Sequence, residues 1–276
     1  MSVRKVGVFC NARDETHIKE WAAHHLLIGF DVVFIFDHKS TVPLNRVFSH
    51  FDNRVITARI EREGGNLKKM LMNKALFIAR QLALDWFIYL DADEFLILNN
   101  RFRGVKHFLS QYSSGDLVGV NWLIFGTNHL VKEPTEGLML EHYTRSSNRL
   151  NRHIKSFVRP REATVADNPH FYHIKRPARM LNVAFGRLRS PYSFNPTNDA
   201  IDKVPAYIAH YMYQAEEIYQ KRKVQFRVAD DGTVRTNIGK EIHTHDNDVV
   251  NAHPQKYVNA IKEFLSFYDQ TNATTL

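Results

Sequence analysis

Short apolar runs and helix-period segments alternate through the first 125 residues, and this alternation restricts the chain to a small set of architectures. VRKVGVFC (residues 3–10) reads as a strand, followed by a helix from Glu15 to Leu27, the strand DVVFIFD (31–37) and a short helix from Leu44 to Phe51. The strand RVITARI (54–60), a long helix from Asn66 to Leu84 and the strand DWFIYLD (85–91) continue the pattern. Parallel strands separated by helices are joined by right-handed crossovers, so the expected fold is α/β, with a mostly parallel central sheet flanked by helices. Ligands of such sheets gather beyond the carboxyl ends of the strands. Three of those ends are polar, NARDE (11–15), DHKS (37–40) and DADE (91–94), and they are expected to share one edge of the sheet.

After the acids come a helix from Val105 to Tyr112 and the strand LVGVNWLIFG (117–126). Beyond Gly126 the pattern loosens into a helix from Leu138 to Ser146, a basic strand HIKSFVRP (153–160), a loop region from Pro177 to Pro205, and AYIAHYMYQAEEIYQKRKVQF (206–226), which starts as a strand and turns helical. The final helical segment, PQKYVNAIKEFLSFYD (254–269), puts Tyr257, Ile261, Phe264, Leu265 and Tyr268 on one stripe, as a helix docked on a core does. With 276 residues, 44% of them hydrophobic, and no linker-like stretch, the chain is expected to form one domain. No run of apolar residues is long enough for a membrane span, and the single cysteine, Cys10, excludes an internal disulfide, so a soluble, cytoplasmic protein is expected. The net charge of +8 is concentrated between Thr144 and Ser190, where eleven basic residues face two acids. A solvated basic face and an anion site both fit that excess; no zinc-finger, helix-turn-helix or RNA-binding signature accompanies it, so nucleic acid is not the expected partner.

In WFIYLDADEFLIL (86–98), Asp91, Asp93 and Glu94 interrupt an apolar run. Buried carboxylates need a compensating cation. In extended backbone, residues two apart face the same side, so Asp91 and Asp93 are expected to reach one hard divalent ion such as Mg²⁺ or Mn²⁺. A polar turn with one aspartate capping the next helix is the plainer alternative.

DADEF together with NARDE resembles the GT-A nucleotide-sugar glycosyltransferases, in particular the family 2-like and family 92-like group. EWAAHHLLIG (20–29), VFIFDHKS (33–40) and NWLIFGTNH (121–129) match that group's succession of motifs, and LEHYTR (140–145), HIKSFVRP and HYMYQAEEIYQKR (210–222) resemble its later blocks. The similarity runs from about residue 6 to 224. His142 stands where the group usually has arginine, and Gln214–Ala215 where it has Lys-Ser.

The resemblance implies a Rossmann-like GT-A fold over residues 1–276, with a nucleotide-sugar half (1–125) and an acceptor-side half (126–276). It implies a metal-dependent, inverting transfer from a UDP-sugar to a hydroxyl of an oligosaccharide or glycoprotein glycan, UDP-xylose and a fucose-containing acceptor being one option drawn from viral and bacterial relatives. The metal ligands implied are Asp91 and Asp93, completed by a late histidine, with His210 first and His173 second. Asn11, Ala12, Arg13 and Asp37 are expected at the nucleotide. Lys155, with Arg159 or Lys221, is expected to supply positive charge to the diphosphate. Glu136 and Glu141, after the FGTNH loop, are the candidate catalytic bases, although either also suits a helix start. His24 and His25 are expected in packing or sheet-edge contacts. Phe171, Tyr172, Phe185, Tyr192 and Phe194 could stack on acceptor sugars or fill a core. A nucleotidyltransferase and a non-catalytic glycan-binding module are the alternatives.

Overall fold

The computed structural model describes residues 3–62, 64–188, 201–225 and 245–273. In chain order the elements are β1 (Val6–Ala12), α1 (Ile18–Leu27), β2 (Val32–His38), α2 (Leu44–Val47), β3 (Val55–Ile60), α3 (Leu67–Gln81), β4 (Trp86–Tyr89), β5 (Glu94–Leu98) and α4 (Val105–Ser110). They continue with β6 (Leu117–Ile124), α5 (Met139–His142), β7 (Arg145–Ser146), β8 (Ile154–Val158), β9 (Met180–Asn182), β10 (Ala206–His210), α6 (Glu216–Gln225), β11 (Val249–Val250) and α7 (Val258–Ala273).

The expected parallel unit is present: β1 lies between β2 and β4, β3 flanks β2, and all three pairings are parallel. The sheet then changes direction, because β8 inserts antiparallel between β4 and β6. Its order among the described residues is β3-β2-β1-β4-β8-β6-β10-β5, with β9 paired to β6 beside Leu117–Gly119. Side chains alternate across the pleat, so Val6, Val8 and Cys10 of β1 enter one core layer with Trp21 of α1, while Phe9 enters the other with Leu71 and Ala75 of α3. Helix α7 closes the first layer: Ile261 is fully buried, and Tyr257, Phe264 and Leu265 pack against that core. The stripe read from the sequence therefore docks as expected.

Three features depart from the sequence reading. EFLIL forms a separate strand, β5, because the chain turns at Asp91–Asp93 and pairs antiparallel with β10. The helix expected over Leu138–Ser146 is a single turn, since Tyr143 leaves the helical region (φ −114°, ψ 90°) and Arg145–Ser146 pair with β11. A strand, β9, also appears inside the expected loop region.

Strand β5 ends the sheet, yet its outer carbonyls are covered by side chains. Trp21 Nε1 donates to the Glu94 carbonyl (2.8 Å), His24 Nε2 to Leu96 (2.9 Å) and Lys256 Nζ to Leu98 (2.5 Å). Alternate residues of one strand thus find donors on α1 and just ahead of α7, which blocks pairing by another chain. His24 is the sheet-edge contact expected, and burial lowers it to about 4.

The basic segment divides. Arg159, Arg176 and Arg179 converge on the buried Asp116 at the amino end of β6, with Arg176 Nη2 at 2.9 Å and Arg179 Nε at 2.8 Å from Oδ2. Arg159 also lies over the Trp86 ring (4.2 Å) and donates to the Gly115 carbonyl (3.0 Å). Asp116 precedes β6 and Arg159 follows the antiparallel β8, so this knot occupies the opposite end of the sheet from Asp91. The expected place for Arg159, beside a diphosphate at the acids, is corrected by this position.

Candidate active site

Asp91, Ala92 and Asp93 form a turn rather than the extended backbone expected of them. Glu94 closes it twice: its backbone N–H donates to the Asp91 carbonyl (3.1 Å), and its Oε2 accepts the Asp91 N–H (2.8 Å). The two aspartates consequently meet different partners. Asp91, 29% exposed, pairs through Oδ1 with Lys68 of α3 and through Oδ2 with Lys155 of β8 (3.0 Å). Asp93, 4% exposed, has Oδ2 at 3.2 Å from Arg222 of α6 and Oδ1 at 3.7 Å from His210 Nε2 at the end of β10.

Glu94 lies at the centre and is fully buried. Lys155 Nζ stands 3.4 Å from Oε2, and His210 Nδ1 3.9 Å from Oε1. Burial lifts the Glu94 carboxyl to about 7, while Lys155 and Lys68 pull it down. The register that pairs His210 with Glu94 across β10 and β5 brings the histidine to the acids. Trp122 walls the cluster, its ring 4.5 Å from that of His210 and 5.7 Å from Lys155 Nζ. His170 lies against the same tryptophan and is held neutral, near 3, by burial and by the charge of Lys155.

The ends of β1 and β2 border this cluster. Asn11 Oδ1 accepts the Tyr89 hydroxyl (3.1 Å), Ala12 is buried and Arg13 half-buried. Glu15, at the end of NARDE, holds Arg222 at 3.0 Å, so Arg222 joins the first loop to Asp93. Asp37 accepts the N–H groups of Ser40 (2.9 Å) and Leu44 (3.0 Å) and the Arg59 guanidinium (2.9 Å). Burial opposes its ionisation, but these donors prevail and hold it below the usual carboxylate range. Asp37 thus builds the turn and caps α2, the structural duty read beside its expected nucleotide contact.

Other expected residues stand apart. His173 is exposed and pairs with Asp167 (2.9 Å), so it does not join His210 beside Asp93. Glu141 accepts the Leu138 N–H (3.0 Å), capping the start of α5, and pairs with Lys262 of α7 (2.6 Å). Glu136 is exposed, and its carbonyl accepts His142 Nε2 (2.7 Å). No described hydrogen bond or ion pair links Glu136 or Glu141 to the acids. Lys221 is exposed, and the cation at Asp93 is its neighbour Arg222. Tyr172 is core, donating its hydroxyl to the Met72 carbonyl (3.0 Å), and Phe171 is partly buried beside it; Phe185 is exposed and stacks on Tyr112 (4.7 Å). Tyr192 and Phe194 lie outside the described residues.

Sequence reasoning grouped Glu94 with the two aspartates but missed Lys68, Trp122, His170 and Arg222 as members of the cluster. Lys68 opens α3, the helix before β4, and a basic residue facing the carboxyl edge of a parallel sheet was the available signal. The others depend on how the second half of the chain folds back.

A divalent cation fits the acids. Asp93 and His210 converge with oxygen and imidazole donors, and one oxygen of the buried Glu94, Oε1, has no hydrogen-bond partner among the described residues. A mixed oxygen and nitrogen set of this kind suits Mn²⁺.

The chain matches the model of glycosyltransferase family 92 over residues 7–250. A family 92 protein of Ricinus communis is 27% identical over 218 residues, covering 77% of this chain and 36% of that protein, so the chain spans about a third of that relative's length. Among solved structures, HddC from Yersinia pseudotuberculosis is similar over 80% of this chain and 97% of its own, with 11% identity and a TM-score of 0.38. Glucosyl-3-phosphoglycerate synthase from Mycobacterium tuberculosis, solved with Mn²⁺, UDP-glucose and phosphoglyceric acid, is similar over 43% of this chain and 44% of its own, with 14% identity and a TM-score of 0.29. The family match extends from β1 to β11 and takes in every residue of the acid cluster: this chain belongs to glycosyltransferase family 92.

Proposed function

We propose that the chain transfers a sugar from a UDP-sugar to a hydroxyl of a glycan, with inversion and with a divalent metal at Asp93 and His210. The observation that carries the reading is the convergence of Asp91, Asp93, Glu94, Lys68, Lys155, Arg222 and His210 at the carboxyl edge of the sheet in a family 92 chain. When bound, a divalent ion supplies Lewis acidity to the departing diphosphate.

The protein's own groups set the charge of the pocket. Three acids face three permanent cations, so the cluster is close to neutral before any ligand enters. Lys68 and Lys155 are held by Asp91, which keeps two buried ammonium groups beside the acids, where diphosphate charge would develop. Arg222 fixes Asp93 against the Glu15 loop, and Glu94 locks the turn that sets the spacing of the aspartates. Asn11, Ala12 and Arg13 line the adjoining strand end for the uridine, with Asp37 shaping the neighbouring loop. Of the two carboxylates expected to take the acceptor proton, Glu136 is exposed and its side chain has no described partner, whereas Glu141 is engaged in a helix cap and an ion pair. Cys10 is buried and free, in keeping with a cytoplasmic setting. No described helix is long and apolar enough to cross a membrane.

The test is a thermal-shift screen of UDP-xylose, UDP-glucose and UDP-galactose with and without Mn²⁺, followed by product analysis. A true donor stabilises the protein as the logarithm of its concentration, and only with metal present. UDP is the expected product, with inverted anomeric configuration by NMR. Pyrophosphate release from UTP and a sugar phosphate would replace this reading with a nucleotidyltransferase.

A further inference from the structure

Away from the acid cluster, His17, Glu133 and His142 come together from the start of α1, the loop after β6 and the end of α5. One potential ligand atom of each lies within 4.8 Å of the others. The three are widely separated in sequence and were not singled out from it as a set.

The hydrogen bonds behind the two imidazoles point to a metal centre. His142 Nε2 lies 2.7 Å from the Glu136 carbonyl, which can only accept, so Nε2 carries the proton and Nδ1 keeps its lone pair. That Nδ1 is sealed from solvent and has no hydrogen-bond partner among the described residues. His17 has Nδ1 3.2 Å from the buried Glu20 carboxylate and Nε2 2.8 Å from Glu133. Metal-bound histidines nearly always donate the second ring nitrogen to a carboxylate or a carbonyl in this way. Glu133 is oriented as well, its Oε1 lying 3.2 Å from the Tyr143 hydroxyl. Gly137 leaves the room this needs, since a Cβ there would fall 2.7 Å from His142 Nε2.

We propose that His17 Nε2, His142 Nδ1 and a Glu133 oxygen bind one divalent cation of the zinc class, tying the first turn of α1 to the loop after β6 and to α5. Two imidazoles and one carboxylate, with a fourth position left to water, form a common zinc donor set. Bonds of about 2.0–2.1 Å in a tetrahedron place donors about 3.3 Å apart. His17 and Glu133, now at 2.8 Å, therefore need to part by only about half an ångström on binding, with release of the proton between them. The loop so fixed also reaches α6, because Glu133 N–H donates to Glu217 (2.8 Å).

The test uses the full chain with Asp93→Asn, so that the acid cluster does not contribute, stripped with chelator and titrated with Co²⁺ alone. We expect one equivalent to bind with the visible absorption of low-coordinate Co²⁺ and to be displaced by Zn²⁺. His142→Arg, which can still pair with Glu133 but has no lone pair, should abolish the band, and Glu133→Gln should weaken Co²⁺ binding by at least about tenfold. Circular dichroism and the melting curve of each variant show that it is folded. No band in the Asp93→Asn protein, an undiminished band in folded His142→Arg, or unchanged Co²⁺ affinity in folded Glu133→Gln would overturn the proposal. The readout is independent of sugar transfer, so this site and the proposed activity can fail separately.

Discussion

Two clusters of ion pairs lie at opposite ends of the same sheet, and their difference separates the proposed site from a structural knot. At the back edge, one buried acid, Asp116, is held by three arginines. At the front edge, three acids meet three cations and a histidine, and one partner, Asp91, is open to solvent. The back cluster already carries more positive than negative charge and joins β6, β8 and the segment before β9. The front cluster retains a buried carboxyl lifted to about 7 and a wall of tryptophan and histidine. Burial of charge is common to both clusters, and a carboxyl lifted toward neutrality beside an imidazole is what sets the proposed site apart.

The largest expected effect on stability comes from breaking the back cluster. Asp116→Ala leaves three partly exposed arginines without their shared anion and should cost about 2–3 kcal/mol of unfolding free energy, less than breaking a fully buried pair. It should show as a lower denaturation midpoint, with activity per folded molecule unchanged. Asp93→Asn should do the reverse, lowering kcat/KM by about 10²–10³-fold with little change in melting temperature. An Asp93→Asn protein that unfolds but turns over normally when folded would erase the distinction.

A smaller effect sharpens the comparison with a buried group that has no charged partner. His24 is neutral in the fold near pH 7, because burial depresses it from 6.5 to about 4. The unfolded chain takes up a proton below about 6.5 that the folded chain refuses until about 4, so stability is complete above the first value and declines toward the second. Between pH 7.5 and 5 this one group should remove about 2 kcal/mol, read from denaturant midpoints. His24→Gln, which can still donate to the Leu96 carbonyl, should remove that share of the slope and leave the share of His25, which burial lowers likewise.

The parallel unit β1–β4 was legible because each strand is a compact apolar run between helices, a pattern that depends on nearby residues alone. The shared edge of NARDE, DHKS and DADE followed from it by topology. The turn at Asp91–Asp93 was not legible, since an apolar run continuing through EFLIL reads as one strand until β10, more than a hundred residues later, supplies a partner for its second part. Arg222 was missed for the same reason: Lys221 and Arg222 are equivalent in composition, and only the facing of α6 selects between them. His210 could be preferred over His173 because of its motif, and the register of β10 against β5 accounts physically for its nearness to Asp93. Glu141 shows the limit of reasoning by residue type, because a glutamate three residues past a helix start serves a cap as readily as a reaction.

The braced outer strand bears on where the chain can be cut. The family match stops at residue 250, yet Lys256 and Tyr257 bond the end of β5, Lys262 holds Glu141 and Tyr268 reaches Asp52. A fragment trimmed to the matched residues would lose the fastening of the strand that begins with Glu94 and expose a ready template for strand exchange between molecules. The last helix belongs to the folded body, and expression designs should carry it.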